Sequence, residues 1–171
     1  DDYTVRFTLY EVNALFLDPL TGAVRDSLAW TGRYGMSLAE GNQYLYTSVR
    51  RRGTLVGYAV IRRPRDIGDP RLLGLRVAVL SDLLYDPSDI IAGRALVRGA
   101  TALAARERSD AVLCSSSHVS TQGALHASSY VSVGANLRLV WRDTHDPPTA
   151  VPTHITNWWV TRGDAESDSV F

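Results

Sequence analysis

Asp82–Ser109 reads DLLYDPSDIIAGRALVRGATALAARERS, and this stretch decides how the rest of the chain is arranged. It overlaps the end of an apolar run, Leu73–Leu84, which predicts a buried strand. The turn Tyr85–Ser88 follows, and Ser88 or Asp89 can then cap a helix by accepting a free N–H group of its first turn. An apolar stripe predicts that this helix packs on a sheet, and its members are Ile90, Ile91, Leu96, Val97, Ala100 and Leu103.

The start of this helix has two interpretations. Unpaired N–H groups and the helix dipole favour an anion at a helix N-terminus, and the small residues Gly93 and Ala95 would let a phosphate approach the backbone. Alternatively, Gly93 and Ala95 only allow close contact between the helix and the sheet. The spacing by itself does not separate an anion site from a packing contact.

Composition places the chain among ordinary globular domains. Its 171 residues suit one domain with a sizeable core, and 45% hydrophobic with 21% charged residues does not fit a disordered chain. The 18 basic residues, all arginine, balance 18 acidic ones, so nothing favours bulk attraction to nucleic acid or to an anionic membrane. The sequence opens Asp1-Asp2 without a methionine, and we expect a fragment or an excised domain of a longer chain.

The single cysteine, Cys114, excludes an internal disulfide framework and indicates a reducing compartment, which we expect to be the cytoplasm. No apolar run reaches transmembrane length and the first residues lack a signal-peptide pattern, so we expect no membrane. Cys114, His118 and His126 do not have the spacing of a closed zinc site, and we expect no metal. We expect Cys114 to be a packing residue on an apolar strand.

Periodicity and turn signals predict the order of the elements. Tyr3–Tyr10 alternates like a half-buried strand, whereas Glu11–Leu17 and Val24–Tyr34 have helical spacing. The connection Arg51–Thr54 predicts a hairpin, with strands at Tyr44–Arg50 and Leu55–Arg62. The remaining elements are a strand at Asp110–Ser115, a short helix at Thr121–Ser128 and an antiparallel pair at Leu137–Arg142 and Ile155–Thr161. Hairpins beside a strand–helix–strand crossover predict an α/β fold, an α+β mixed sheet.

This order resembles that of the GNAT superfamily of acyl-CoA-dependent N-acyltransferases, and three motifs support the resemblance. Leu55–Val60 (LVGYAV) is similar to the family's third strand. Ile90-x-x-Gly93-x-Ala95 resembles the Arg/Gln-x-x-Gly-x-Gly/Ala loop that holds the cofactor's pyrophosphate, with Ile90 in place of the usual Arg or Gln. Leu125-x-x-x-Ser129-Tyr130 is similar to the Leu/Tyr-x-x-x-Gly-Phe segment of the fourth helix.

Two further segments resemble those of certain bacterial GNAT proteins, namely Val24–Tyr34 and Trp159–Asp168. In some such proteins this unit is the C-terminal half of a tandem pair. The resemblance therefore implies a single GNAT-like domain over residues 1–171 and, as a partner, a second GNAT domain or a homodimer. It also implies a central mixed sheet with flanking helices, in which Leu73–Leu84 and Asp110–Ser115 are parallel and splay apart at one end.

The resemblance implies where acetyl-CoA, or another acyl-CoA, would bind. The backbone of Leu83, Leu84 and Tyr85 would pair with the pantetheine. Because Ile90 replaces Arg or Gln, we expect weakened rather than abolished binding. The implied acceptor is the amine of a small molecule or a peptide. The N–H groups expected to face the pyrophosphate belong to Ile91, Ala92, Gly93, Arg94 and Ala95.

Acylation of an amine needs a base for the amine and a proton for the leaving thiolate. The family often uses a Glu of the fourth strand, or a water chain, as the base and a Tyr of the last helix as the acid. Asp82 is the carboxylate placed on the strand, and Leu125 stands at the Tyr position, so His126 or Tyr130 would have to replace that acid. All three side chains are equally compatible with capping, packing or surface roles. The alternative function is therefore a non-catalytic GNAT-like binding or scaffold domain paired with an active domain.

Overall fold

The structure is a computed structural model that describes residues 16–17, 24–25, 43–65, 72–133 and 159–162. Strands β3 to β6 form one sheet in the order β3-β4-β5-β6, while β1 and β2 form a separate antiparallel pair. In chain order the elements are β1 Phe16–Leu17, β2 Val24–Arg25, β3 Tyr44–Arg51, β4 Thr54–Arg62, β5 Val77–Tyr85, α1 Ile90–Arg106, β6 Ala111–Cys114 and α2 Val119–His126.

The four-stranded sheet is mixed, with a parallel pair at one side. β4 runs antiparallel to both β3 and β5, whereas β5 and β6 run parallel and are joined by α1 as the crossover. α1 packs against β3, β4 and β5. This confirms the predicted mixed α/β architecture and the parallel pairing of the two strands on either side of the long helix.

The hairpin between β3 and β4 confirms the predicted connection at Arg51–Thr54. Arg52 and Gly53 both have left-handed backbone angles, with φ of 49° and 83°, which is the geometry of a two-residue type I′ turn. The Arg50 guanidinium donates to the Gly53 carbonyl at 2.7 Å. The turn thus fixes the pairing of Arg51 with Thr54 and of Arg50 with Leu55, beyond which an extra residue in β4, Val56, shifts the register.

Strand β5 begins later than the apolar run suggested. Leu73 is 95% exposed. Leu73 and Gly74 have φ of 58° and 78°, and the Leu75 N–H donates to the Leu72 carbonyl at 3.0 Å. The predicted start at Leu73 is therefore wrong, because a tight turn occupies 72–75 before the strand begins at Val77. All nine residues of β5 are buried.

A bulge divides β5 into two parts. Ile61 pairs with Leu80 and Val60 pairs with Asp82, so Ser81 is an extra residue in β5. The ring of Tyr85 lies against Gly93 of α1, so Tyr85 and Leu83 two residues before it face the helix.

Leu80 faces α1 as well. Its partner Ile61 lies on the same face as Gly57, where an added Cβ would be 2.9 Å from the Leu96 side chain of α1. The bulge therefore keeps Leu80 and Leu83 on the α1 face, although they are three residues apart, and turns Asp82 to the opposite face.

Helix α1 begins as predicted but buries a different face at its start. Asp89 is the N-cap, accepting from the Ala92 N–H at 3.1 Å. Ile90 and Ile91 are 55% and 63% exposed, so including them in the apolar stripe was wrong, because the buried face begins only at Ala92. The buried residues of α1 are Ala92, Gly93, Leu96, Val97, Ala100 and Ala104.

Helix α2 begins two residues before the predicted Thr121, because His118 supplies the cap. Its Nδ1 accepts from the Ser120 N–H at 3.2 Å. At the other end, the Tyr130 N–H donates to the Leu125 carbonyl at 3.1 Å, and Ser129 has a φ of 67°. This is a Schellman ending, with Ser129 in the left-handed position that glycine usually takes.

The two helices predicted near the N-terminus are not formed at residues 16–17 and 24–25, which the structure describes, so these predictions are wrong there. Phe16–Leu17 pairs as a strand with Val24–Arg25, although helical spacing was expected over Glu11–Leu17 and Val24–Tyr34. Strands of two residues are too short to show any period in the sequence. The strands predicted at Tyr3–Tyr10 and Leu137–Arg142, and most of Ile155–Thr161, lie outside the described residues. Within the described part of the chain, no helix is long and apolar enough to cross a membrane.

Candidate functional site

The parallel strands β5 and β6 separate at one end. They pair from Val77 with Ala111 to Leu80 with Cys114, where β6 ends and β5 continues to Tyr85. Beyond Cys114 the chain bonds to segment 159–162 instead, through a bridge of Ser116 with Thr161 and two hydrogen bonds between Ser117 and Val160, at 3.1 and 3.0 Å. We call the space beside 81–85, where β6 no longer pairs with β5, the strand gap. Its position confirms the predicted separation of the parallel pair.

Asp82 lies at the start of the strand gap and is 4% exposed. Its Oδ2 accepts from the Tyr58 hydroxyl at 3.1 Å. Its Oδ1 accepts from the Thr161 hydroxyl at 3.2 Å and from the Leu83 N–H at 2.9 Å. Three donors from three parts of the chain therefore hold this carboxylate in one position, which a buried charge requires.

Trp159 fills the strand gap. Its side chain is fully buried, and the indole Nε1–H donates to the Leu83 carbonyl at 2.6 Å. The indole meets the Tyr85 ring edge-on at 5.1 Å between centroids and lies 4.7 Å from the His118 ring. Because Asp82 accepts from the Leu83 N–H, both backbone groups of Leu83 bond to side chains here. These are groups that the resemblance implied for a pantetheine.

The N-terminus of α1 is partly occupied by its own cap. The Ala92 N–H bonds to the Asp89 carboxylate and the Gly93 N–H to the Asp89 carbonyl, both at 3.1 Å. Arg51 forms an ion pair with the Asp89 carboxylate at 2.8 Å. Helix geometry directs the N–H groups of Arg94 and Ala95 to the carbonyls four residues earlier. Of the predicted set Ile91–Ala95, helix geometry therefore leaves the N–H of Ile91 for a ligand, together with that of Ile90.

Gly93 makes room for a side chain rather than for an anion in this structure. A Cβ at Gly93 would lie 2.4 Å from Cζ and 2.7 Å from the hydroxyl oxygen of Tyr85. The contact supports the packing interpretation of this glycine. The Tyr85 hydroxyl is buried and has no hydrogen-bond partner among the described residues.

The structure does not bring Tyr130 to Asp82. The Tyr130 hydroxyl lies 2.9 Å from Thr101 Oγ1, which itself donates to the Val97 carbonyl at 2.8 Å, so Tyr130 is the donor to Thr101. Burial raises the pKa of Tyr130, and the hydrogen bond with Thr101 acts in the opposite direction. Thr101 lies about 12 Å along α1 from Gly93, since a helix rises about 1.5 Å per residue.

His126 is likewise placed away from the strand gap. It is exposed at the C-terminal end of α2, with Nε2 at 2.9 Å from the Ser132 hydroxyl. Eight residues, about 12 Å of helix, separate it from His118. Of the three predicted catalytic residues, only Asp82 forms hydrogen bonds to residues that border the strand gap, whereas Tyr130 bonds to Thr101 and His126 lies beside Ser132.

His118, Tyr58 and Thr161 were not predicted as site residues, although all three border the strand gap. Because His118 Nδ1 accepts from the Ser120 N–H, the neutral ring carries its proton on Nε2. A histidine directly before a helix that follows a strand was a usable signal for His118. Tyr58 and Thr161 lie far from Asp82 in the sequence, and only the folded chain brings their hydroxyls to it.

Cys114 is the last residue of β6 and packs beside the strand gap. Burial raises the pKa of its thiol to about 12, although Arg162 acts in the opposite direction. The thiol is therefore neutral near pH 7, which agrees with a packing role. Among the residues that the structure describes, no group of three or more His, Cys, Asp or Glu could hold a metal ion.

The order β3-β4-β5-β6, with a parallel pair that separates after Leu80, is the mixed α/β arrangement that the resemblance implied. No family model matches the chain, and no curated protein matches it.

Solved structures that are similar to this chain include two N-acetyltransferases. One is a ribosomal-protein-alanine N-acetyltransferase from Brucella melitensis biovar Abortus 2308, at 18% identity and TM-score 0.44 over 64% of this chain and 76% of that one. The other is the aminoglycoside N-acetyltransferase AAC(6')-Iy in complex with CoA, at 14% identity and TM-score 0.42 over 70% and 92%. At these identities and TM-scores, the contacts of this chain itself are the basis for its proposed function.

Proposed function

We propose that this chain is an acyl-CoA-dependent N-acyltransferase domain that transfers an acetyl group from acetyl-CoA to the amine of a small molecule or a peptide. The observation that supports this most is the strand gap, where a parallel pair separates beside the start of α1. Ligands of α/β sheets bind beyond the carboxyl ends of parallel strands, and an extended chain can pair with an exposed strand edge. The N–H groups of Ile90 and Ile91 would favour the anionic pyrophosphate.

Asp82 is the residue to which we assign proton removal from the amine. The amine nitrogen attacks the thioester carbonyl, loses a proton, and the thiolate of CoA leaves. The Asp82 oxygens already accept from Tyr58, Thr161 and Leu83, so the proton would pass through a water that lies against the carboxylate. Tyr130 and His126 have no part in this proposal, because their contacts hold them on other parts of the helices.

A second candidate is a binding or scaffold domain without catalysis, with a second GNAT domain or a second copy of this chain as its partner. It is favoured by the bond between Trp159 and the Leu83 carbonyl, and by the Asp89 carboxylate at the start of α1. Both groups occupy places that an acyl-CoA would use. For either function we propose the cytoplasm as the compartment, in keeping with the unpaired Cys114.

The test is calorimetric titration with acetyl-CoA followed by measurement of CoA release with a panel of amines. The parent is compared with Asp82→Asn and with Asp86→Asn, a matched change at an exposed carboxylate whose side chain, within the described part of the chain, bonds to Ser88 alone. We expect turnover to fall about a hundredfold in Asp82→Asn and to stay within about twofold in Asp86→Asn, with both variants folded by circular dichroism. Binding without turnover would favour the scaffold function, and no binding by the parent or by any of its variants would contradict the proposal.

A further inference from the structure

Trp159 makes the kind of contact in the strand gap that a ligand amide would make. Its Nε1–H donates to the Leu83 carbonyl at 2.6 Å, and the side chain is completely buried. The pantetheine of an acyl-CoA also carries amide N–H donors on a narrow chain. The indole and a pantetheine amide therefore compete for one carbonyl and for the space next to the ring of Tyr85.

The backbone around Trp159 is held independently of that contact. Val160 bonds to Ser117 through both its N–H and its carbonyl, and Thr161 forms a bridge with Ser116. These bonds anchor the segment on the chain after β6, whereas the indole reaches across to β5. Rotation of the Trp159 side chain would break the bond to Leu83 and the ring contacts while leaving the pairing of 160–161 in place.

We propose that Trp159 closes the strand gap in the free protein, and that an acyl-CoA binds by displacing the indole from the Leu83 carbonyl. This rests on the proposed function and adds a residue that sets affinity and ligand class. A thioester with amide donors replaces the lost hydrogen bond, whereas one without them leaves a buried carbonyl unpaired. The apparent affinity is lowered by the fraction of molecules in which the gap is closed.

The direct measurement is ¹⁹F NMR of the chain with 5-fluorotryptophan at its four tryptophans. Trp159→Phe assigns the resonance of position 159, and Trp158→Phe is the matched control. We expect acetyl-CoA to shift the Trp159 resonance at the concentrations at which it binds. Where Trp159→Phe fails to fold, assigning the other three resonances with Trp30→Phe, Trp141→Phe and Trp158→Phe identifies the Trp159 resonance by elimination, and the titration itself is done on the folded parent.

Calorimetry on the variants gives the second measurement. Trp159→Phe keeps an aromatic ring but lacks the donor to Leu83, so closure is weaker and acetyl-CoA should bind about fivefold more tightly, the effect of about one net hydrogen bond. Trp158→Phe should bind as the parent does. Binding by Trp159→Phe where the parent shows none would also support closure.

The remaining outcomes separate this inference from the proposed function. If the parent binds acetyl-CoA while the Trp159 resonance stays fixed and Trp159→Phe binds equally, closure by Trp159 is overturned and the acyltransferase proposal stands. If neither the parent nor Trp159→Phe binds acetyl-CoA, both are overturned.

Discussion

The two halves of β5 are both buried, but their backbone groups find hydrogen-bond partners in different ways. Val77–Leu80 pairs with β6, and its last two residues, Val79 and Leu80, also pair with β4. Asp82–Tyr85 pairs with β4 alone among the described strands, and at its other edge the side chains of Asp82 and Trp159 bond to Leu83. Buried backbone groups need partners, so where a neighbouring strand ends, side chains take its place. Side chains can move away, and an edge completed by them can accept a ligand.

The largest effect should be found at Cys114, which pairs with Leu80 where the two halves meet. Its pKa of about 12, against an ordinary 9.0, lowers the thiolate fraction at pH 8 about a thousandfold. We expect a disulfide reagent such as DTNB to react at least a hundredfold more slowly with the folded chain than with the same chain in urea. Similar rates in both states would show that the junction is open.

The raised pKa of Cys114 also makes the stability of the folded chain depend on pH. Between about pH 9 and pH 12 the folded chain keeps a proton that the unfolded chain has lost, so the contribution of Cys114 to stability is complete below pH 9 and declines as the pH rises. Cys114→Ala should lack this decline in urea unfolding.

The next effect concerns what stabilises each half. Leu80→Ala should cost about 3 kcal/mol through the cavity it leaves in the apolar half. Asp82→Ala should cost about 2 kcal/mol for a different reason, because it leaves the donors of Tyr58, Thr161 and Leu83 without this acceptor. Adding Tyr58→Phe should therefore be less costly in Asp82→Ala than in the parent. If the losses in the free energy of unfolding are additive in urea, the Tyr58–Asp82 contact does not contribute to stability.

The smallest effect concerns two helical glycines, at which the same change to alanine should alter the stability in opposite directions. Gly93→Ala should destabilise by about 2 kcal/mol, because its Cβ would meet the Tyr85 ring of the second half of β5. Gly123→Ala in α2 has nothing within 4 Å of the added Cβ and should stabilise by about 0.5 kcal/mol. Thermal unfolding of both variants is the measurement, and equal shifts would mean that Tyr85 does not press on Gly93.

Features set by neighbouring residues were predictable from the sequence. Gly53 in a short connection predicted the hairpin, Ser88 or Asp89 before an apolar stripe predicted the helix cap, and the helix between two apolar strands predicted their parallel pairing. The turn at Leu73 was not predicted, because an apolar residue such as Leu73 continues the pattern of the strand that follows.

The candidate site was less predictable, because it depends on distant contacts. Asp82 was predicted from the resemblance and its place on the strand, whereas the bond from Trp159 to Leu83 joins residues 76 apart, and no local sequence pattern indicates it. The places of Tyr130 and His126 depend on Thr101 and Ser132, through hydrogen bonds that sequence motifs do not contain.

The bulge at Ser81 has a consequence for how such a domain could arise. Without Ser81, β5 would be a regular strand with Leu80, Leu83 and Tyr85 still facing α1, so the direction of these three side chains does not depend on this one residue. Its presence adds twist and bend to β5 directly after Leu80, which is where β6 stops pairing. In evolutionary terms, a single-residue insertion at this point would bend the strand where the parallel pair ends while keeping the same side chains towards α1.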